Sequence, residues 1–233
     1  RALFAWTGTP FDEPGPAEIS RVCTELSFSD QPMPLRAPPF VVDHERSGFC
    51  VSQVPAVVHY LSKRLGLLPP DDARLESLAL KVTCDANDVL AELWRFNGVV
   101  RKDGDWVLWE QEEWDAFRSG AFLDWLGLFE ALAKRHAMTA EAGYLLGTPT
   151  ATCADLVAWA LWATLARCVP ALAQPIRERM PSVMGLCARL ERDSESLAAL
   201  AAKEASAWGE LYCGGLIEQS LRRAVAAGVD GAR

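Results

Sequence analysis

Ala37-Pro38-Pro39 leads into the apolar run Phe40-Val41-Val42-Asp43, and Ser52-Gln53-Val54 opens a stretch of helical spacing soon after. An X–Pro bond costs only ~1 kcal/mol more in cis than in trans and is retained in tight turns. The bond into Pro38 is therefore a candidate for cis, with Ala37 ahead of it; the plain alternative is a stiff Pro38-Pro39 loop. A helix starting at Gln53 would present free backbone N–H groups and the positive end of its dipole, a setting that favours an anion. Its bland reading is a polar cap, a job Ser52 could share. Thr152-x-x-Asp155 has the spacing of a capping box, in which the Thr hydroxyl and the Asp carboxylate each satisfy a free N–H of the first helical turn. That role belongs to folding, not catalysis. Asp85, in Cys84-Asp85-Ala86-Asn87-Asp88, falls on a helical stretch, where an acid is commonly a solvated face.

These residues need elements to hold them. Arg1–Thr7 reads as the end of a helix stopped by Gly8. Thr9–Asp12 is short, flanked by turns and expected to be extended. Ala17–Leu26 is amphipathic with Ile19, Val22 and Leu26 inward. Residues 29–39 hold four prolines and read as an irregular loop. Phe40–Val42 and Gly48–Val51 are strand-like around a polar turn. Gln53–Leu65 has helical spacing through Val54, Val57, Val58 and Leu61, and Gly66 ends it. Leu67-Leu68-Pro69-Pro70-Asp71-Asp72 is a proline hinge followed by an acidic helix start, which suits the positive end of a helix dipole. It divides the chain into residues 1–70, a small α/β unit, and 71–233, all helical.

Within the second part, Ala73–Phe96 is a long helical pattern and Asn97–Asp105 a polar loop. Trp106–Trp109 precedes a helical run from Trp114 to Ala137. Thr152–Arg167 is apolar on nearly every face, as a central buried helix would be. Ile176–Arg192, Leu197–Trp208 and Leu216–Ala227 add up to three more helices, among Pro170, Pro175 and Pro181. Trp109, Trp114 and Trp125 are expected to pack rather than to cage a ligand.

Composition narrows the function classes. The chain has 233 residues, half of them hydrophobic, which is enough for a sizeable core. A net charge of −8 opposes a broad nucleic-acid surface or an anionic membrane as partner. No apolar run approaches the ~18 residues of a membrane span. The seven cysteines are widely spaced, odd in number and free of any C-x-x-C pair. They predict reduced, mostly buried thiols in an intracellular, cytoplasmic protein rather than a disulfide frame or zinc site. The three histidines, His44, His59 and His136, have no ligand spacing, so no metal is expected. Arg1 is not a natural start residue, which leaves a removed targeting segment open.

The order Ala37-Pro38-Pro39-Phe40-Val41-Val42-Asp43, Gln53, Tyr60-Leu61 and, later, Gly147 with Thr152-Cys153-Ala154-Asp155 resembles the glutathione transferase family. Trp109 to Glu130 looks like a stretch seen in its microbial and algal branch. The resemblance runs from Arg1-Ala2-Leu3 to about Leu200. It implies a thioredoxin-like domain over 1–70, then the family's all-helical domain over 71–233, usually as a homodimer. It implies glutathione as cosubstrate, with no metal. Ala37 would pair its backbone with the cysteinyl unit. Gln53 and the neighbouring backbone at Val54 would hold the γ-glutamyl end, and Asp85 would reach the γ-glutamyl ammonium in a neighbouring subunit. Arg36 matches a position that often contacts glutathione, though a surface loop arginine is an equal reading. The family usually places Ser or Thr where this chain has Val54, which removes one hydrogen bond worth ~1.5–3 kcal/mol.

The family's catalytic Tyr, Ser or Cys lies ahead of the residues matching Arg1, so no catalytic residue is assigned. The first strand, which would separate Thr9–Asp12 from Phe40–Val42, lies there too. About ten to twenty further upstream residues are therefore expected. The implied activity is conjugation of glutathione to a small apolar electrophile held near Asp85, Val89 and Trp94. The alternative is a non-catalytic binding or scaffold subunit of a larger protein complex. A third, an all-helical adaptor with an unrelated N-terminal segment, requires the Pro38–Gln53 match to be accidental.

Overall fold

A computed structural model describes residues 1–93 and 109–208. Trp94–Phe96, the polar loop 97–105, Trp106–Leu108, Cys213 and the expected helix Leu216–Ala227 lie outside the described residues.

Helix α1 (Ala2–Thr7) stops at Gly8, whose φ of 67° is left-handed and returns its N–H to the carbonyls of Phe4 and Ala5. Thr9–Asp12 forms no strand. The Thr9 N–H instead donates to the Phe4 carbonyl at 3.1 Å, and Phe11 stacks on Phe4 with ring centroids 4.7 Å apart. Helix α2 (Pro16–Ser20) continues into a π-type turn over Arg21–Glu25 and buries Val22. The proline-rich loop after it is pinned by Gln31. Its amide donates to the Val22 carbonyl at 2.9 Å and accepts from the Leu35 N–H at 2.8 Å.

The chain then makes a two-stranded antiparallel sheet, β1 (Phe40–Asp43) and β2 (Phe49–Ser52), with Val42 opposite Cys50. Helix α3 (Val54–Arg64) follows directly, and Gly66, at φ 69°, turns the chain away.

The remainder is helical. Asp72 accepts from the Leu75 N–H at 2.9 Å, ahead of α4 (Ala73–Leu93). The expected single helix from Trp114 to Ala137 is two, α5 (Gln111–Ser119) and α6 (Ala121–Arg135). Gly120 breaks it with φ −113° and ψ −101°, and a Cβ there would lie 3.1 Å from the Ala116 carbonyl oxygen. Helix α7 (Cys153–Ala158) passes through a π-type turn at Trp159–Ala163 into α8 (Thr164–Cys168), forming the expected central apolar rod. The expected helix 176–192 is also split, into α9 (Pro170–Arg179) and α10 (Pro181–Asp193). Pro181 lacks an N–H and disfavours helical backbone at the residue before it, and Met180 takes φ −127°, ψ 55°. Helix α11 (Glu195–Trp208) is the last described element.

One apolar core joins the two parts: Val57 and Leu61 of α3 belong to the same buried cluster as Val82 of α4, Leu156 of α7 and Trp162. Trp162 meets Phe129 edge-on at 5.2 Å. Two polar ties cross this packing. Glu130 of α6 accepts from the Ser182 N–H at 3.1 Å and the Ser182 hydroxyl at 2.8 Å, capping α10 from another helix. Arg189 of α10 donates to the carbonyls of Ala140, at 3.1 Å, and Gly143, at 2.7 Å, holding the loop after α6.

Candidate functional site

The β1–β2 hairpin delivers the chain to α3 through Gln53. This residue is the N-cap of α3 rather than part of its first turn, with φ 75° and ψ 128° and no capping bond from its side chain. A non-glycine residue with positive φ outside the helical well carries strain of order 1–3 kcal/mol and persists only where its surroundings impose it. Val54 is the first helical residue and Pro55 the second; proline has no N–H. The donors left in this turn are therefore the N–H groups of Val54 and Ala56. The first carbonyl bond of the helix runs from the Val57 N–H to Gln53, at 2.9 Å.

A polar clamp ties the turn end of the hairpin to α3. The Tyr60 hydroxyl donates to Asp43 Oδ2 at 2.6 Å, and Arg64 Nε donates to the same oxygen at 2.9 Å. Asp43 Oδ1 accepts from the Glu45 N–H at 3.0 Å, and Arg64 reaches Glu45 at 3.0 Å. The Tyr60 hydrogen bond, with Arg64 beside it, holds the Asp43 carboxyl below its ordinary pKa. The same bond raises the pKa of Tyr60. The clamp ties the end of β1 to the middle and end of α3.

The cis peptide bond lies between Pro38 and Pro39, one bond later than expected. The residue preceding it is Pro38, which offers a carbonyl but no N–H, rather than Ala37, which offers both. Arg36, Ala37 and Pro38 form one side of a groove of about 640 Å³. Its other wall is α2 with the turn that follows it, through Pro16, Ile19, Ser20, Cys23 and Thr24; Arg1, Glu13 and Pro14 complete it. Gln53, Val54 and Asp85 do not line this groove. The structure thus brings Arg36–Pro38 together with α2, a wall that sequence reasoning assigned to the core. The signal was the apolar spacing of Ile19, Val22 and Leu26, but only Val22 is buried, and Ile19 faces the groove.

Of the residues expected near an apolar acceptor site, Asp85 and Val89 lie among the described residues. Val89 is 0 % exposed and sits inside the core, so it cannot wall an open pocket; Trp94 lies outside the described residues. Asp85 is paired within α4 by Lys81, one turn earlier.

Thr152 and Asp155 form the expected capping box at the start of α7. Asp155 Oδ2 accepts from the Thr152 N–H at 2.7 Å and its hydroxyl at 2.9 Å. Its Oδ1 accepts from the Leu145 N–H at 2.8 Å, which fastens the preceding connection to the helix start. Burial pushes the Asp155 carboxyl pKa up, against these donors.

Burial also raises the thiol pKa of Cys50 and Cys153, and pushes that of Cys187 up to about 12. Burial thus disfavours the thiolate, the nucleophilic form, at all three. Trp114 packs in the core with Trp109 against it, while the Trp125 indole N–H donates to Glu92 at 2.9 Å. Among the described residues, no three His, Cys, Asp or Glu side chains group as a metal site. No described helix is long and apolar enough to cross a membrane.

A strained N-cap after a β-hairpin, a cis-proline at the mouth of β1, and a buried capping box opening a central helix define the class that the sequence resembled. The family model for the glutathione S-transferase C-terminal domain matches residues 78–224. The chain belongs to the glutathione S-transferase family. Ten solved chains match it. One, described as the structure of NaGST-2, has a TM-score of 0.59 at 19% identity, covering 85% of this chain and 86% of that one, and shows the shared fold. No curated protein matches.

Proposed function

We propose that this protein binds glutathione at the β1–α3 junction and transfers it to small electrophiles. Residues 1–70 act as the thioredoxin-like domain and residues 71–233 as the helical one. The observation that carries this reading is Gln53: a left-handed, non-glycine N-cap whose side chain is not used for capping, beside the free donors of Val54 and Ala56. Those donors and the helix dipole suit the γ-glutamyl carboxylate, and the Gln53 side-chain amide oxygen can accept from its ammonium. The Pro38 carbonyl can accept from the cysteinyl N–H, with Ala37 and Arg36 alongside. Asp85 would serve a neighbouring subunit of a homodimer on exchanging its Lys81 partner.

One feature favours a second reading, a glutathione-transferase-fold binding or scaffold subunit without turnover. Val54 supplies no hydroxyl to the carboxylate, which removes a contact of about 1.5–3 kcal/mol.

Isothermal titration with glutathione separates the two readings. Binding in the micromolar to low-millimolar range, lost in Gln53→Ala, supports the glutathione site, and conjugation assays then test turnover. Absence of binding up to ~10 mM, a free energy of only about 3 kcal/mol, overturns it in favour of the scaffold.

A further inference from the structure

The hairpin, Gln53 and α3 form a closed linkage with a single hinge. Strand β2 ends at Ser52 and α3 begins at Val54, so Gln53 alone joins two stiff arms. Helix α3 runs back along the hairpin. Ser52 pairs with Phe40 at the hinge end of the sheet, and Asp43 pairs with Phe49 at the turn end. Tyr60 lies about 10 Å along α3 from Gln53, at 1.5 Å per residue. Asp43 lies about 10 Å along β1 from Phe40, at ~3.4 Å per residue. The arms thus match in length, and the Tyr60 hydroxyl closes them onto Asp43 Oδ2 at 2.6 Å.

A hinge between two stiff arms takes the angle that their far ends dictate. Gln53 takes φ 75° and ψ 128°, which a residue with a Cβ rarely adopts. Its side chain makes no capping bond that would hold it there. The far ends supply the strut. Asp43 Oδ2 accepts from both Tyr60 and Arg64, and Oδ1 is fixed by the Glu45 N–H, so the carboxylate cannot turn away. Hydrogen bonds to an ionised carboxylate are short and strong. Apolar packing contributes less at this end. The Phe49 ring touches the Tyr60 ring at 4.9 Å but is 47% exposed, so much of it stays in water.

We propose that the Asp43–Tyr60–Arg64 clamp holds Gln53 in its positive-φ conformation, which makes Asp43 and Tyr60 positioning residues for the first turn of α3. The consequence for a ligand rests on the glutathione reading above. With the clamp closed, the Gln53 amide and the N–H groups of Val54 and Ala56 keep one arrangement before any ligand arrives, and a site ordered in advance loses less entropy on binding. With the clamp open, Gln53 relaxes toward negative φ and its amide turns away from those donors.

A double-mutant cycle on the full chain tests the clamp without any ligand. Urea unfolding is measured for the parent protein, Gln53→Gly, Tyr60→Phe and the double variant. Glycine takes positive φ without a Cβ clash, so Gln53→Gly relieves strain only while the clamp imposes it. The substitution should therefore be more favourable in the parent than in Tyr60→Phe, by about threefold or more in the unfolding equilibrium constant. Asp43→Ala removes the acceptor for both donors and should couple to Gln53→Gly more strongly. Lys63→Ala, which breaks an α3 ion pair to Glu76 of α4 instead, should not couple to it. An equal effect of Gln53→Gly in the parent, Tyr60→Phe and Asp43→Ala overturns the proposal, as does equal coupling with Lys63→Ala. Calorimetry with glutathione reads the positioning. Tyr60→Phe should weaken binding about threefold to tenfold, the worth of a side chain ordered on binding rather than before it, with far-UV circular dichroism unchanged. Equal affinity would remove the positioning role. If the parent binds no glutathione, the glutathione reading falls and the cycle still decides the clamp.

Discussion

The Tyr60 hydroxyl donates to the Asp43 carboxylate at 2.6 Å, and Arg64 reaches the same oxygen one turn further along α3. This relationship fastens the end of β1 to the helix whose N-terminus carries Gln53. The candidate ligand site is thereby held from behind, by residues that need not touch the ligand.

The clamp has a pH signature. The folded-state pKa of Asp43 lies below its unfolded value, so its contribution to stability is fully present above the unfolded value and fades as pH falls through the folded one. Thermal melts across the acid range should show Tm falling with pH. Asp43→Asn should make that acid limb shallower while lowering Tm at pH 7. A limb of unchanged slope in Asp43→Asn would remove Asp43 from the account.

Val54 is the clearest departure at the candidate site. Val54→Ser restores a hydroxyl beside the free donors of α3. If the γ-glutamyl carboxylate sits there, one hydrogen bond to a charged group should tighten glutathione binding about tenfold. Calorimetry on the two proteins reads this directly; equal affinities would place the carboxylate elsewhere.

Asp155 satisfies the N–H groups of Thr152 and Leu145 in a buried setting. Asp155→Ala strands both and should cost about 2–4 kcal/mol. Thr152→Ala should cost about 1 kcal/mol, since it loses the cap hydroxyl but leaves those two donors paired with Asp155. Urea unfolding monitored by far-UV circular dichroism checks the order as well as the sizes.

Gly185 of α10 lies against the loop after α6, where an added Cβ would stand 2.3 Å from the Ala140 Cα. Gly185→Ala must push backbone against backbone and should destabilise by about 1–3 kcal/mol or more, despite alanine's better helix propensity. Gly127, on α6 with open space around it, is the control. Gly127→Ala should be neutral or stabilising in the same unfolding assay.

Much of this was legible along the chain because it depends on neighbours in sequence. Gly8 and Gly66 ended helices where a left-handed residue was needed, and Thr152 and Asp155 capped a helix at their own spacing. The apolar run after Thr152 became the central rod because no face of it could be left to water. Breaks were harder to read. Gly120 and Pro181 each divided a stretch whose apolar period continued across it, so the pattern carried on where the backbone did not.

The site divides in the same way. The chain by itself determined that a proline pair precedes a strand, that Gln53 opens a helix, and that a capping box starts another, since each is a matter of local backbone chemistry. Only the tertiary structure decided which prolyl bond is cis, that Val89 is sealed in the core, and that Ile19 walls a groove with Arg36. It also decided that Asp43, Tyr60 and Arg64 meet. Those facts depend on which surfaces pack against each other, and a hydrophobic period says that a residue is covered without saying by what.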